Sequence, residues 1–331
     1  MSAPPTAAIV RRRIASRPSV GDRIFRGGAY AAGGVTVGVM LAVGVFLSLR
    51  ASEALRVAGP SFLVETEWSP ETQTFGVGAV LFGTVTIAVI AMCVAVPLAL
   101  GTALLISEMT RGSLRSTMIT LVDLMAAVPS VVFGLWGVFF LQSAIIPVSQ
   151  WISIHFSWIP VFRVTDESGE TLSEASAFTS SALIAGIVVG LMVVPTLTSV
   201  MRESFSQAPP GEREAAFALG STRWAMVKAV VLPFGRGGII GGTMLGLGRA
   251  LGETIAVYMI ISPIFTINWQ VLKTGSNSVS SLIALRYGEA SDFSLSALMA
   301  AGLVLFLITL VINFTASSIV ARSRSGAGSE A

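Results

Sequence analysis

Long apolar runs separated by polar stretches make up most of this chain. A helix needs about 20 apolar residues to cross about 30 Å of hydrocarbon, and six runs are long enough. They are residues 28–49, 76–106, 117–146, 181–201, 237–262 and 296–320. The pattern predicts an all-α polytopic membrane protein, with a six-helix transmembrane domain at 28–320 and both termini on one side of the membrane.

The second run, 76–106, is longer than one straight span requires. Because no polar turn interrupts it, we expect one helix that is tilted or kinked. Pro97 removes a backbone donor and marks the expected kink. Cys93, the single cysteine, lies in the same run and is expected to pack there.

The segments outside the runs are polar. Residues 1–27 are rich in Pro, Ser and Arg, which predicts a basic cytoplasmic tail without a packed core, and residues 321–331 form a second tail. The arginines of the first tail set the topology in the simpler interpretation, and the alternative is that they hold anionic lipid headgroups. Residues 147–162 interleave Trp and Phe with Pro, which is typical of a segment at the outer interface, and 166–174 read as an exposed acidic loop.

Composition narrows the class further. The chain has 331 residues, is 53% hydrophobic and 12% charged, and has a mean hydropathy of +0.80, which excludes an ordinary soluble globular protein. One cysteine excludes a disulfide framework, and the only histidine, His155, has no companion at ligand spacing, so no metal site is expected. The first apolar run follows 27 polar residues without a small-residue cleavage site, so no cleavable signal peptide is expected.

The basic residues are distributed unevenly. Of the 21 lysines and arginines, 15 fall in 1–27, 107–116, 202–236 and 321–331, and 5 fall in 50–75, 147–180 and 263–295. The positive-inside rule therefore predicts that both termini and the segment 202–236 are cytoplasmic.

The loop 205–236 has its own pattern. The alanine-rich stretch 215–219 favours a helix, Gly220 breaks it, and 221–231 can form a second helix that Pro233 ends. The small side chains of the first helix leave a flat surface that can fit into a groove on a partner protein, and polar residues at the start of that helix can anchor it. The alternative is a plain solvated connection between two spans.

Spacing within this loop resembles a known pattern. Glu214-Ala215-Ala216 is followed after three residues by Gly220, and after nine more by Val230-x-Leu232-Pro233. This resembles the EAA loop of ABC-importer permeases, with Val230 in place of the family's isoleucine. The resemblance implies a type I permease fold and a loop that docks on ATPase subunits and transmits their closure. The residues to which it assigns this coupling are Arg213, Glu214, Ala215, Ala216, Gly220, Leu232 and Pro233.

Two further motifs resemble the permeases of Pst-type phosphate uptake. Residues 248–254 read GRALGET, and Pro129-Ser130-Val131-Val132 begins a second matching run. Ala256-Val257 after the first motif favours the C-type over the A-type chain. The resemblance implies half of a phosphate pathway in a prokaryotic plasma membrane. It implies an A-type permease, two ATPase subunits, an extracytoplasmic phosphate-binding protein and membrane lipids as partners, and no nucleic acid. It places ATP and Mg on the ATPase, with no cofactor bound by this chain.

Ionisable residues inside the runs are the candidates for the substrate pathway. Arg249 lies about 18 Å along the fifth run, near the midplane, where an arginine costs at least about 2.5 kcal/mol. Glu253, one turn further, offers an ion pair; the favoured alternative is a wet cavity. There the guanidinium binds phosphate oxygens and the carboxylate accepts a phosphate proton. We expect the ion pair to form when the cavity is empty. Thr254, Ser130 and Asp123 complete the candidates, with Asp123 placed about 9 Å into the third span, at an inner gate or as packing.

Enzymatic motifs are missing from the sequence. It contains no G-x-x-x-x-G-K-[ST], no H-E-x-x-H and no histidine beside a nucleophile, so the chain is expected not to hydrolyse ATP itself. The alternatives are an importer of another oxyanion such as sulfate or molybdate, a membrane-embedded enzyme and an ion channel. The 248–254 motif argues against another oxyanion, and the missing catalytic sets argue against an enzyme. The docking loop argues against an ion channel.

Overall fold

The computed structural model describes residues 19–166 and 168–324, and most of these residues are helical. The strands in this part of the chain are β1 (Trp68–Ser69) and β2 (Thr74–Phe75), which pair in antiparallel fashion. The α-helices, in chain order, are α1 (Val20–Ala58), α2 (Gly78–Leu104), α3 (Gly112–Ala126), α4 (Ser130–Trp136), α5 (Gln142–His155), α6 (Ala182–Ser206), α7 (Pro210–Ala218), α8 (Arg223–Met226), α9 (Leu232–Phe234), α10 (Arg236–Leu251), α11 (Ile255–Ile260), α12 (Val279–Arg286) and α13 (Asp292–Arg324). Residues 1–18 and 325–331 of the two predicted tails lie outside the described residues.

Helices α2 and α6 pack at the centre of the core. Four alanines one turn apart on α2 are fully buried: Ala91, Ala95, Ala99 and Ala103. On α6, a Cβ at Gly186 would lie 2.5 Å from Cγ2 of Ile90, and a Cβ at Gly190 would lie 2.8 Å from the carbonyl oxygen of Ala91. These small residues let the two backbones approach closely, which favours packing of helices within lipid.

Helix α10 packs on the same core. A Cβ at Gly246 would lie 2.8 Å from Cγ1 of Val193 on α6, and Gly248 lies beside Asn313 of α13. The glycine-rich pattern of 237–252 therefore serves close packing between helices, as that pattern predicts.

Five helices are long and apolar enough to cross a membrane, and a sixth is counted if a bent pair is one span. The five are Val20–Leu63, Gly78–Met109, Ser130–His155, Ala182–Ser206 and Asp292–Thr315, and the pair is Arg223–Phe234 with Arg236–Leu251, bent by 66°. The described residues thus give five to six candidate spans where the sequence predicted six. The predicted second span is one helix that continues through Pro97.

The third span is displaced from its predicted position. The apolar run 117–146 is divided, because α3 ends at Ala126 and α4 begins only at Ser130. Pro129 disfavours helical backbone at the preceding residue and lacks a donor, so a helix cannot pass through this point easily. The candidate span is Ser130–His155, which continues through Pro147 into the segment 147–162 that the sequence assigned to the outer interface.

The fifth span is not one helix either. The predicted span 237–262 breaks after Leu251, and helix resumes from Ile255 to Ile260. At the break the amide of Gly252 bonds to the carbonyl of Gly248, and the amide of Glu253 to that of Ala250, so the last turn closes on itself. Glycine has a low helix propensity, and α10 ends at Leu251, just before Gly252.

The first helix begins earlier than the predicted span. Ser19 and Asp22 exchange two hydrogen bonds, from Ser19 N to Asp22 Oδ2 at 3.0 Å and from Asp22 N to Ser19 Oγ at 3.1 Å. This reciprocal cap starts α1 at Val20. Residues 20–27, assigned to the tail, are therefore helical. The stretch up to Phe46 forms a unit of its own, in which Arg26 lies 5.9 Å from the ring centroid of Tyr30.

One end of the bundle, here called the hairpin end, carries β1 and β2. Phe75 of β2 meets Phe293 at the start of α13, with ring centroids 5.5 Å apart. The segments 156–181 and 261–278 cross each other nearby: Val271 N bonds to the carbonyl of Val161, and Leu183 N to that of Val271. The opposite end, here called the loop end, carries residues 205–236.

Candidate functional site

The loop 205–236 forms the helix-turn-helix that its sequence predicts. Helix α7 ends at Ala218, and Gly220 takes a left-handed backbone with φ of +79°, a conformation that glycine adopts without steric cost. Thr222 then accepts a hydrogen bond from Ala225 N at 3.2 Å and caps α8. The second helix runs on through Pro233 and ends at Phe234, three residues beyond the predicted end at Val231.

One side of this loop is exposed. Glu214, Ala215, Gly220 and Pro233 are exposed, whereas the remaining predicted coupling residues are partly buried against the bundle: Arg213, Ala216 and Leu232. Three large apolar side chains also face outward, among them Leu219, which is 88% exposed, with Phe217 and Trp224. Such a patch on a loop fits a protein-docking surface.

Arg213 anchors the loop to two core helices. Its Nη1 lies 3.2 Å from Oε2 of Glu108, in the π-helical turn Leu105–Met109 that continues α2. Its Nη2 donates to the carbonyl oxygen of Phe205, near the end of α6, at 2.6 Å. Sequence reasoning assigned Arg213 a polar anchoring role but missed Glu108, because the two residues are 105 positions apart.

Arg249 lies at the end of α10 and is exposed. Its Nη1 donates to Oγ1 of Thr196 on α6 at 3.3 Å. It lines an open groove of about 480 Å³ between α10 and α13, whose other polar side chains are Thr309 and Asn313. The groove gives the guanidinium of Arg249 access to an anion.

Glu253 does not pair with Arg249 in this structure, in contrast to the ion pair expected from their spacing. The helix breaks between them, and one-turn spacing no longer places them on one face. Instead Oε1 of Glu253 accepts a hydrogen bond from Ala256 N at 3.2 Å, close to the start of α11. A carboxylate partner is found instead for Arg213, which pairs with Glu108.

The remaining pathway candidates lie on different elements. Thr254 donates to the carbonyl of Gly252 at 3.2 Å within the break. Ser130 begins α4, which packs on α11: a Cβ at Gly134 would lie 3.1 Å from Cα of Ala256. Asp123 is exposed on α3, before the break at Pro129, and therefore lies outside the candidate span Ser130–His155.

A serine-rich segment braces the break from the hairpin end. Ser280 Oγ donates to the carbonyl oxygen of Glu253 at 2.7 Å. The same segment is held on α2, where Val279 N donates to Oγ1 of Thr84 at 3.0 Å and the Asn277 carbonyl rests against Gly83. The sequence contained the signal, a cluster of serines at 276–281, but its partner 27 residues away could not be read from it.

A helical bundle with a broken helix and an exposed helix-turn-helix at one end is an arrangement found in membrane transport proteins. The family model described as "Binding-protein-dependent transport system inner membrane component" matches residues 95–325. The chain belongs to this family.

Curated relatives match nearly the whole chain. The phosphate transport system permease protein PstC 2 of Mycobacterium tuberculosis is 35% identical, covering 97% of this chain and 98% of its own length. PstC of Mycobacterium leprae is 36% identical over 95% of this chain and 97% of its own. PstC of Xylella fastidiosa is 36% identical over 78% of each.

Solved structures show the same fold at low identity. The chain is similar to one from a bacterial ABC transporter involved in the import of the acidic polysaccharide alginate, with a TM-score of 0.56, 16% identity and coverage of 91% of this chain and 99% of that one. It is similar also to a chain of the MetNI methionine ABC transporter in an inward-facing conformation, with a TM-score of 0.51, 13% identity and coverage of 73% and 93%.

Proposed function

We infer that this chain is a transmembrane permease subunit of an ATP-driven importer of inorganic phosphate. The observation that carries the assignment is similarity over almost the full chain to relatives named as phosphate transport system permeases. The chain is a non-catalytic subunit, and ATP is hydrolysed on a separate partner.

The exposed face of the 205–236 loop is the proposed ATPase dock. Its helix-turn-helix presents Glu214 and Ala215 beside the apolar side chains of Phe217, Leu219 and Trp224, which suits a groove on a protein partner. We place this loop and both termini in the cytoplasm, where ATP is, on the strength of the basic residues that surround the loop.

Arg213 supplies a physical route from the dock to the membrane helices. A push on α7 reaches α2 through the Glu108 carboxylate and α6 through the Phe205 carbonyl. Because α2 and α6 touch through alanines and glycines, with little side chain between them to absorb displacement, they would move together. The proposed complex contains two such ATPase subunits, bound to this chain and to an A-type permease, with a phosphate-binding protein on the opposite face and lipid around it.

The proposed pathway runs past the end of α10. Arg249 faces an open groove, and among the described residues its side chain bonds only to the hydroxyl of Thr196, so its remaining donors can meet phosphate oxygens. Glu253 and Thr254 lie in the helix break just beyond Arg249, where their side chains can also face a substrate. Ser130 is placed on the helix packed against α11, and Asp123 on α3, as weaker members of the same pathway.

Reconstitution tests the function. The chain is assembled with its permease and ATPase partners and the phosphate-binding protein in proteoliposomes, and uptake of radiolabelled phosphate is measured with ATP on the ATPase side. We expect ATP-dependent phosphate uptake that sulfate and molybdate do not compete for. Uptake of sulfate or molybdate in place of phosphate would assign the importer to another oxyanion.

A further inference from the structure

A cavity of about 340 Å³ lies at the loop end, between the end of α2, the start of α3 and the helices α7 and α8. Four arginines line it: Arg111, Arg115, Arg213 and Arg223. One carboxylate, that of Glu108, lines it as well. None of the substrate-pathway candidates contributes to this cavity, so it is distinct from the groove at Arg249.

The charge in this cavity is unbalanced. Arg213 and Glu108 neutralise each other at 3.2 Å, whereas the side chains of Arg111, Arg115 and Arg223 have no hydrogen bond or ion pair in the part of the chain that the structure describes. Arg111 occupies the N-cap position of α3, but its side chain makes no capping hydrogen bond to the backbone amides of the first turn. The free amides at the start of a 15-residue helix add positive potential beside the three arginines.

The hydrogen-bonding groups fit one kind of anion. The side chain of Glu108 is 6% exposed, and its Oε1 has no hydrogen-bond partner; Nε of Arg213 has none either. The cavity therefore combines many donors with a single unused carboxylate acceptor. A phosphate that carries a proton both accepts and donates hydrogen bonds, whereas sulfate at neutral pH has no proton to offer the carboxylate.

We propose that this cavity is a second, regulatory site for a phosphate group, through which phosphate on the ATPase side slows import. A bound phosphate would bridge Arg115 of α3 and Arg223 of α8, and would tie the coupling loop to the bundle. Because α3 is a helix that the Arg213 contacts do not reach, this bridge would force the loop to displace α3 as well when the ATPase closes, so accumulated product would reduce turnover. The regulatory part rests on the proposed phosphate import, and the binding part does not.

Binding is tested by calorimetric titration of inorganic phosphate into the assembled transporter in phosphatidylcholine nanodiscs. We expect the Arg115→Gln, Arg223→Gln double variant to lose one class of site or to bind phosphate there about tenfold more weakly, because two charge-assisted partners are removed. Sulfate should bind that class of site more weakly than phosphate. Lys228→Gln, which removes a charge from the same loop outside the cavity, is the matched control and should bind as the wild type does.

A second arm separates free phosphate from a lipid headgroup. If nanodiscs that contain phosphatidylglycerol abolish phosphate binding in an Arg115- and Arg223-dependent way, the phosphate group that occupies the cavity in a membrane is that of the lipid. Equal phosphate binding by the double variant and the wild type in both nanodiscs overturns the site. A second outcome also overturns the site: the wild type shows no class of phosphate binding that depends on these arginines, and the double variant no longer holds the ATPase. The cavity would then bind an acidic side chain of the ATPase.

Regulation is measured as ATP-driven uptake with increasing phosphate on the ATPase side. The wild type should slow down, and Arg115→Gln, which lies on α3 outside the docking loop, should keep wild-type uptake at low phosphate and resist inhibition. Identical inhibition of both proteins overturns the regulatory role. If the transporter does not import phosphate, every variant fails the uptake assay, but arginine-dependent phosphate binding to the cavity persists. The proposed import function and the proposed binding site can therefore fail independently.

Discussion

At the scale of single residues, the position of a charge proved easier to predict than its partner. Arg249 was identified because an arginine in an apolar run is costly, and it lies at an exposed groove. Its predicted partner Glu253 caps a different helix, and its actual partner is the Thr196 hydroxyl. The residue with a carboxylate partner is Arg213, at the loop end.

Substitutions at Arg249 and Thr196 separate a transport role from a structural one. Arg249→Gln should insert and assemble but lose phosphate uptake by more than about tenfold, because the charge that meets the anion is gone. Arg249→Lys should be nearly as poor, since an ammonium cannot present two parallel donors. Thr196→Val removes only the observed acceptor and should change uptake about twofold or less.

The measurement is radiolabelled phosphate uptake normalised to assembled complex. If Thr196→Val reduces uptake as severely as Arg249→Gln does, the arginine serves helix packing and not the anion. Glu253→Gln is a further control: it strands no partner charge in this fold, so its assembly should remain normal.

At the scale of elements, helix breaks decide where the candidate groups lie. The break at Pro129 moves Asp123 out of the third span, and the break at 252–254 separates Arg249 from Glu253. The turn at Gly220, unlike these two breaks, could be predicted from the sequence, because it depends only on neighbouring residues. A left-handed residue between two short helices requires glycine or, at some cost, asparagine.

The turn at Gly220 can be tested directly. Gly220→Val forces a β-branched residue to φ of +79° and should distort the helix-turn-helix, at a cost of about 1–3 kcal/mol. We expect the variant to insert normally but to lose ATPase association and uptake, with Gly220→Asn retaining more of both. Gly211→Ala, in the exposed first turn of α7 with open space at its Cβ, is the control and should be unaffected. Copurification of the ATPase with the permease decides, and full association of Gly220→Val would remove the turn from the dock.

At the scale of the whole molecule, the helices alternate between the two ends of the bundle. Helix α2 leads to the loop end at Glu108, and α6 returns there to place Phe205 beside Arg213. Helix α13 begins at the hairpin end, where Phe293 meets Phe75. This arrangement is consistent with the loop 205–236 lying on the opposite side of a membrane from the segments 50–75, 147–180 and 263–295, which are poor in basic residues.

Topology tags test this orientation in the native membrane. Tags at positions 5, 215 and 328 should report the cytoplasm, and a tag within 166–174 should report the outside, because 15 of the 21 basic residues fall in the segments placed inside. Accessibility to a membrane-impermeant reagent in intact cells is the measurement. An external tag at 215 would invert the chain and remove the loop from the ATPase.

The sequence by itself determined the class of this protein. Apolar runs near the length of a bilayer crossing mark helices in lipid, and a spaced motif such as 214–233 marks a local helix-turn-helix, since both depend on neighbours in the chain. Only the tertiary structure decided how the runs divide and which groups meet. Apolarity indicates that a segment is buried or in lipid, not whether its helix is continuous, so the third and fifth spans were misplaced. The pairing of Arg213 with Glu108 and of Ser280 with the Glu253 carbonyl joins residues distant in sequence, and such contacts follow from the packing of α2, α6 and α10.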